Sequence, residues 1–338
     1  MRAVVLPGDP RASELSTALS ESGRTQATQA EPTAPDFFDS MLRAAGRASR
    51  LQVIEADVRD ERALGTAFDG VDRVFHAAAL IHAWASRDEF RAVNVTGTQN
   101  VARLAQAYGV ARMVSISTTD VFGIPRAGEA FDESSPLSPW GEPYADTKIE
   151  AERWLWSFHR QTGLPVSVIY PGWIYGPGDR AFFPGLAEAI DEGRMLFWRR
   201  DVKLPWVYID NLVDACLLAS TLPAAAGKGF IVHDDSDGPT LQEVCARIAR
   251  VRGRPAPTRH LPYALVHAVA KMLQMFWRIA DRGTPPPLLT VDVKAFGFQW
   301  KLSTARARRD LGWSPRIGTE EGMRRALEDL RQRCGNRA

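Results

Sequence analysis

Cysteine is scarce in this chain, and so is net charge. The 338 residues include 3 cysteines, and the formal net charge is +2 at pH 7. Cys216, Cys245 and Cys334 show neither metal-ligand spacing nor a disulfide-framework pattern, which predicts reduced thiols and no metal site. A nearly balanced charge gives the whole molecule no strong field for nucleic acid or an anionic membrane. These shortages are typical of an ordinary enzyme and disfavour a nucleic-acid-binding or disulfide-stabilised protein.

Long hydrophobic runs are missing as well. Residues 1–9 lack the apolar run and cleavage signature of a secretion signal, so we expect a cytoplasmic protein. Residues 264–280 are rich in apolar side chains, but they carry His267, Lys271 and Arg278 and are too short to span a bilayer. One interpretation is a helix packed on a second lobe. The alternative is a helix that borders an oily substrate pocket or touches a membrane surface.

Short apolar runs alternate with helical patterns over the first two thirds of the chain. The predicted strands are residues 3–6, 51–54, 71–76, 110–117 and 166–170, with a further strand at 229–233. Continuously apolar strands separated by helices indicate a parallel sheet that is covered by helices on both faces.

The spacing of Tyr144 and Lys148 carries the most chemical information. Four residues apart on a helix, the two share one face, with about 6 Å between their Cβ atoms. The ammonium group is therefore expected to lower the pKa of a tyrosine that ordinarily titrates at about 10. A tyrosine activated in this way exchanges a proton with an alcohol or a carbonyl group near neutral pH. We expect the Thr118 hydroxyl to orient the substrate oxygen.

Several ordered motifs accompany this pair. They are residues 56–60 (ADVRD), 74–79 (VFHAAA), 94–100 (NVTGTQN), 117–123 (STTDVFG), 144–148 (YADTK) and 171–179 (PGWIYGPGD). In order and spacing, over about residues 51–333, they resemble the extended short-chain dehydrogenase/reductase superfamily of the NAD-dependent epimerase/dehydratase type. The resemblance implies an α/β fold, a Rossmann-type doubly wound parallel sheet. It also implies a cofactor, NAD or NADP, with NAD slightly favoured.

The resemblance implies roles residue by residue. Thr118, Tyr144 and Lys148 would form the catalytic set, and Lys148 would also donate to the nicotinamide ribose. Asn94 would sit along the cofactor and help to position the lysine through water. Asp57 and Val58 would meet the adenine ring, Ala77 and Ala78 would sit along the cofactor, and Pro171 and Gly172 would lie near the nicotinamide amide.

The resemblance also implies a division of the chain. Residues 1–172, with 205–235 returning to them, would form a dinucleotide-binding domain. Residues 173–204 and 236–338 would form a smaller, mostly helical substrate-binding lobe. Residues 84–94 and 261–280 resemble most closely the 3β-hydroxysteroid dehydrogenase-like branch, whose members interconvert secondary alcohols and ketones on bulky apolar skeletons. Four bulky residues could line the pocket for such a substrate or could pack in the hydrophobic core instead. They are Trp84, Trp173, Tyr175 and Phe183.

One motif of that superfamily is missing. The first strand should run into a GxxGxxG turn that admits a pyrophosphate against a helix N-terminus, but residues 6–13 read LPGDPRAS. Proline rings and the Asp9 charge would crowd and repel phosphates. Dinucleotide affinity is therefore expected to fall by a factor of about 10² to 10³. Gly8 and Arg11 are the candidates to meet the phosphates, and Glu31 is the candidate to hold the ribose hydroxyls.

Three explanations of the altered turn stay open: a loop that still binds cofactor, a cofactor-poor binding or regulatory protein, or a sequence error near the N-terminus. The first favours an NAD(P)-dependent oxidoreductase acting on a sterol-like or long-chain apolar alcohol or ketone. A sugar-nucleotide epimerase is the enzymatic alternative. A homodimer and a peripheral membrane contact are both compatible with the sequence.

Overall fold

The computed structural model of the chain describes seven ranges of residues. They are 2–5, 52–81, 84–126, 128–199, 202–234, 238–280 and 284–335. The altered glycine turn, with Gly8 and Arg11, and the candidate ribose ligand Glu31 lie outside the described residues.

All the pairings among the described strands are parallel. The strands are β1 Arg2–Val5, β2 Gln52–Glu55, β3 Arg73–His76, β4 Arg112–Ile116, β5 Val166–Pro171, β6 Trp173–Tyr175, β7 Trp206–Tyr208 and β8 Lys228–Val232. Four of them form a sheet in the order β3-β4-β5-β8, while β1 pairs with β2 and β6 with β7. Residues 228–232 thus return to the main sheet beside β5. The boundaries of the two predicted domains stay a prediction.

The described α-helices are α1 Glu61–Gly65, α2 Arg87–Arg91, α3 Gly97–Ala107, α4 Pro143–Thr162, α5 Phe182–Asp191, α6 Ile209–Thr221, α7 Leu241–Val251, α8 Tyr263–Ile279, α9 Thr290–Ala295, α10 Ala305–Leu311 and α11 Thr319–Gly335. Several of these helices have clear capping signals. Ser86 and Thr240 form capping boxes with the glutamates three residues later. Gly163 ends α4 in the left-handed conformation (φ 75°) that a C-terminal glycine adopts readily.

The central strands are buried on both faces. Val114 of β4 and Ile169 of β5 belong to a core cluster with residues of α6 and α10. Their neighbours Met113 and Val168 belong to a second cluster with residues of α3 and α4. Alternate residues therefore face opposite helical layers, as the continuously apolar strands predict.

The helical stretch between β3 and β4 contains an unpredicted distortion. A single π-helical turn, Ala92–Thr96, separates α2 from α3 and contains the buried Asn94. At the start of α3, a Cβ atom on Gly97 would lie 2.7 Å from the Val58 side chain, so only glycine allows this close packing. π-Turns often mark functional sites, and this one holds Asn94 against α4.

Two of the four aromatic candidates for a substrate wall lie in a hydrophobic core. Tyr175 and Phe183 are almost fully buried in a cluster with residues of α5, α7 and α11. The Tyr175 hydroxyl donates to Asp234 at 3.1 Å. Trp84 and Trp173 are only half-buried. The structure therefore assigns Tyr175 and Phe183 to packing.

Candidate active site

Three neighbouring strands of the main sheet end at one edge. Because β3, β4 and β5 are parallel, their carboxyl ends meet there, where open α/β sheets bind ligands. The residues at these ends are Ala77 and Ala78 after β3, Ser117 and Thr118 after β4, and Pro171 and Gly172 at the end of β5. Sequence motifs far apart in the chain thus come together at one crevice.

Thr118 lies close enough to Tyr144 for its side chain to lower the pKa of the tyrosine. Thr118 is buried and caps the short 3-10 turn Thr119–Phe122, where its Oγ1 accepts from the backbone N–H of Asp120 at 3.2 Å. Since that oxygen already accepts, its O–H is available to donate to the phenolic oxygen. Tyr144 lies in the first turn of α4, which begins at Pro143. A strand end and a helix start therefore hold the two hydroxyls together.

The pKa of Tyr144 is shifted in the direction opposite to our expectation. Burial raises this pKa, the negative charge of Asp120 raises it further, and only the Thr118 side chain lowers it. The prediction that Lys148 lowers the pKa of Tyr144 is wrong for this structure. The reason is that the Lys148 ammonium reaches away, and its Nζ donates to the Ile116 carbonyl at 2.7 Å. Tyr144 is therefore protonated at neutral pH.

Lys148 is one helical turn further along α4 and is only 4% exposed. Burial lowers the pKa of its ammonium to about 8, against the opposing influence of Glu152. Desolvation favours the neutral form of a lysine, and a nearby carboxylate favours the charged form. Lys148 therefore titrates close to physiological pH.

Glu152, one further turn along α4, is the residue that sequence reasoning missed. It is 4% exposed, and three side chains donate to its carboxylate. The donors are Ser117 Oγ at 2.9 Å, Tyr170 OH at 2.5 Å and Trp156 Nε1 at 3.1 Å. Burial raises the pKa of Glu152, while these donors and the charge of Lys148 lower it. The i, i+4 spacing from Lys148 was the one available signal in the sequence.

A small cavity adjoins this buried cluster. It has a volume of about 220 Å³, and its lining includes Lys148, Glu152, Ser117 and Thr98. Thr98 contacts His76 Nε2 at 2.9 Å. Burial, and then the charge of Lys148, lowers the pKa of His76 to about 3, so this histidine is neutral. His76 therefore places no second positive charge beside Lys148.

Asn94 clamps the loop that follows β3 against α4. Its Oδ1 accepts from the Leu80 N–H at 2.7 Å, and its Nδ2 donates to the Leu80 carbonyl at 3.2 Å and to Thr147 Oγ1 at 3.0 Å. These contacts are with the loop and with the residue beside Lys148, so Asn94 sets the position of both.

Residues expected along a dinucleotide follow the ends of β2 and β3. Ala77 and Ala78 are exposed, and their methyl side chains leave the backbone at the end of β3 open to a flat ligand. After β2, the Asp57 carboxylate is held by Arg59 at 2.6 Å, which lowers the pKa of Asp57. Val58 is buried against Gly97. The pyrophosphate half depends on residues outside the described ranges.

Gly172 is required by backbone packing. A Cβ atom at this position would lie 1.9 Å from the Pro205 carbonyl oxygen. Trp173 donates its backbone N–H to that same oxygen at 2.7 Å. The close approach fixes the end of β5 against the segment leading into β7, and the chain continues from Gly172 into β6.

Aromatic side chains lie directly beyond Gly172. Trp173 packs against Phe296 and Phe182, with ring centroids 4.8 and 5.1 Å apart. Phe296 follows α9, whose Lys294 donates to Glu142 at 2.9 Å. Glu142 is the residue that precedes Pro143 at the start of α4. The aromatic group is thus joined to the same helix end that carries Tyr144.

Comparison with known proteins places the chain in a family. A sequence model described as the NAD dependent epimerase/dehydratase family matches residues 18–232, which is more than half of the chain. The chain belongs to this family. The predictions of a Rossmann-type parallel sheet, of an enzyme and of a nicotinamide dinucleotide cofactor are thereby confirmed.

Individual relatives agree with this assignment. The chain is 32% identical over 284 residues to the 2-alkyl-3-oxoalkanoate reductase of Stenotrophomonas maltophilia (strain K279a), covering 80% of this chain and 84% of that protein. It is 30% identical over 294 residues to the 3 beta-hydroxysteroid dehydrogenase/Delta 5-->4-isomerase of Mycobacterium tuberculosis (strain ATCC 25618 / H37Rv), covering 82% and 78%. The solved structure of MoeE5 in complex with UDP-glucose and NAD superimposes with a TM-score of 0.68 at 21% identity, covering 98% and 99%. That last likeness shows the shared fold.

Replacing Tyr144 with phenylalanine tests its role in proton transfer. The change removes only the hydroxyl, so turnover is expected to fall by about 10² to 10⁴ while the fold survives. The matched control is Tyr108→Phe, because Tyr108 is exposed at the end of α3. Steady-state turnover with a confirmed substrate is the measurement. Activity of Tyr144→Phe within twofold of the unmodified chain would contradict the assignment.

Replacing Glu152 with glutamine tests whether its charge sets the pKa of Lys148. If the ammonium is the active form, turnover falls as pH rises through about 8. Removing the negative charge lowers this pKa, so the alkaline fall should move to lower pH by about one pH unit. Glu150→Gln is the control, since Glu150 lies on the same helix but pairs with Arg91 at the surface. An unmoved alkaline limb in the pH profile of Glu152→Gln rejects this coupling.

Proposed function

We propose that the chain is an NAD(P)-dependent oxidoreductase that interconverts a secondary alcohol and a ketone on a bulky apolar substrate. The observation that carries the proposal is the neighbouring Thr118 and Tyr144 side chains at the carboxyl end of β4, with Lys148 one turn further along the same helix as Tyr144. Family membership and the named relatives support the redox chemistry.

Each side chain has a distinct task in this scheme. Thr118 holds the substrate oxygen, and Tyr144 donates a proton to it during reduction or accepts one during oxidation. When bound, the nicotinamide ring accepts or donates the hydride. Lys148, whose ammonium is held at the Ile116 carbonyl, would donate to the nicotinamide ribose. Because Tyr144 is protonated at neutral pH, it starts in the form that donates to a ketone oxygen.

The aromatic group beyond Gly172 supports an apolar substrate. A small open cavity lies beside it and is lined by Leu196, Phe197, Trp198, Arg199, Val202, Leu241, Gln242 and Phe296. Most of the lining residues are aliphatic or aromatic, so apolar contact with the substrate dominates here.

A sugar-nucleotide substrate needs several charge-assisted contacts to its phosphates. Among the described lining residues of this cavity, Arg199 is the only cation, and its guanidinium lies over the Phe298 ring at 5.9 Å. This composition supports the hydroxysteroid-like or long-chain interpretation over the epimerase alternative.

A substrate panel tests the proposed class. Purified protein with NADH or NADPH would be given 3-oxosteroids, 2-alkyl-3-oxoalkanoates and UDP-sugars, and the absorbance of reduced nicotinamide would be followed. We expect turnover of an apolar ketone, with loss of that turnover in Tyr144→Phe. Conversion of UDP-sugars alone would reject the apolar class, and no cofactor-dependent turnover of either group would reject the oxidoreductase.

Shortening Phe296 to alanine tests the contact with the substrate body. Loss of a buried aromatic contact is expected to raise KM for a bulky apolar ketone by about tenfold, and KM for a small ketone should stay within about twofold. Phe298→Ala is the control, because Phe298 packs on Tyr263 and does not line the cavity. An equal rise in KM for both substrates would show that Phe296 acts on the fold and not on the substrate.

A further inference from the structure

Helix α8 is apolar on two sides, and only one of them is packed. Val266 and Ala270 are buried against α9, in a cluster that also contains Val293. Five large apolar side chains of the same helix are exposed to solvent. They are Leu265 at 51%, Met272 at 60%, Met275 at 60%, Phe276 at 54% and Ile279 at 77%.

These exposed side chains form a continuous stripe. At about 100° of rotation per residue, Leu265, Met272, Met275 and Ile279 fall within an arc of about 80°. Leu261, just before the helix, is also 42% exposed. Monomeric proteins rarely leave a contiguous apolar surface of this kind without a binding role.

Positive charge borders the stripe on one side. Lys271 and Arg278 are both exposed and lie about 40° to 60° beyond Met275 around the helix. The helix sequence, YALVHAVAKMLQMFWRI, contains no aspartate or glutamate. An apolar arc with a cationic border and no acids matches a helix that lies in the interface of an anionic bilayer.

From this arrangement we infer that α8 docks the protein on a phospholipid surface that carries negative charge. The stripe of Leu265, Met272, Met275 and Ile279 enters the boundary between headgroups and acyl chains, while Lys271 and Arg278 contact the lipid phosphates. The inference is independent of the proposed redox chemistry, because it uses no residue of the candidate active site.

The geometry argues against two other roles for this helix, as a membrane-spanning segment and as a contact with a second copy of the chain. With 17 residues α8 is about 25 Å long, short of the roughly 30 Å hydrocarbon core. Among the described residues, no helix combines the length and hydropathy needed to cross a membrane. A symmetric contact with a second copy would pair the same patch with itself. Such a contact brings Lys271 and Arg278 near their own counterparts, with no carboxylate on the helix to neutralise them.

Vesicle cosedimentation of the full chain tests the docking surface. The unmodified protein is expected to pellet with vesicles of phosphatidylcholine and phosphatidylglycerol, more weakly with phosphatidylcholine alone, and less at high salt. Met272→Glu/Met275→Glu should lose at least about tenfold in vesicle affinity. The control is Gln106→Glu/Gln161→Glu, which adds the same charge at exposed positions on α3 and α4. Circular dichroism would verify that each variant is folded.

Lys271→Gln separates the electrostatic contribution from the apolar one. It should weaken binding to the anionic vesicles by about fivefold and leave the weaker binding to neutral vesicles unchanged. Absence of cosedimentation with either vesicle, or unchanged binding of the double glutamate variant, overturns the inference. A concentration-dependent dimer in sedimentation velocity that Met272→Glu/Met275→Glu abolishes, without vesicle binding, would assign the stripe to a second copy instead.

Discussion

The desolvation of three titratable groups on one stripe of α4 is the constraint on which the site depends. Tyr144, Lys148 and Glu152 are spaced at intervals of four residues, and desolvation drives all three towards their neutral forms. Compensation comes from the Ile116 carbonyl, which accepts from the ammonium, and from the hydroxyl and indole donors on the carboxylate. Since these partners belong to β5, to the end of β4 and to α4 itself, satisfying the buried charges also locks the helix to the central strands.

The same constraint shapes the chemistry. A buried lysine with a pKa of about 8 changes its charge near working pH, so small changes in its surroundings have large effects on the charged fraction. Glu152 controls that fraction without contacting the reacting atoms. Truncating Glu152 would leave the ammonium with less compensation, because a buried charge that loses its partner retains its desolvation cost.

The sequence predicts the parts of this site that depend on fixed local geometry. Helix spacing places Tyr144 and Lys148 on one face, and parallel strands bring Thr118 and Gly172 to one edge. It does not predict where a long side chain points, and the Lys148 ammonium reaches the Ile116 carbonyl in preference to the phenol. Glu152 looks like an ordinary solvated helix residue, because its donors Ser117 and Tyr170 are distant in the chain. Likewise, aromatic composition alone cannot separate the buried Tyr175 from the half-buried Trp173.

The environment of helix α8 is a second feature that the sequence alone does not predict. An apolar stretch interrupted by His267, Lys271 and Arg278 is compatible with packing and with a membrane surface, and only the neighbours of each face distinguish them. The Arg278 guanidinium lies 5.8 Å from the ring centre of Trp84, in the segment between β3 and α2. That cation–π contact joins α8 to the segment that begins with Ala77 and Ala78. A bilayer bound by α8 would therefore lie next to Trp84, one of the candidate substrate-lining residues, and apolar ketones concentrate in bilayers.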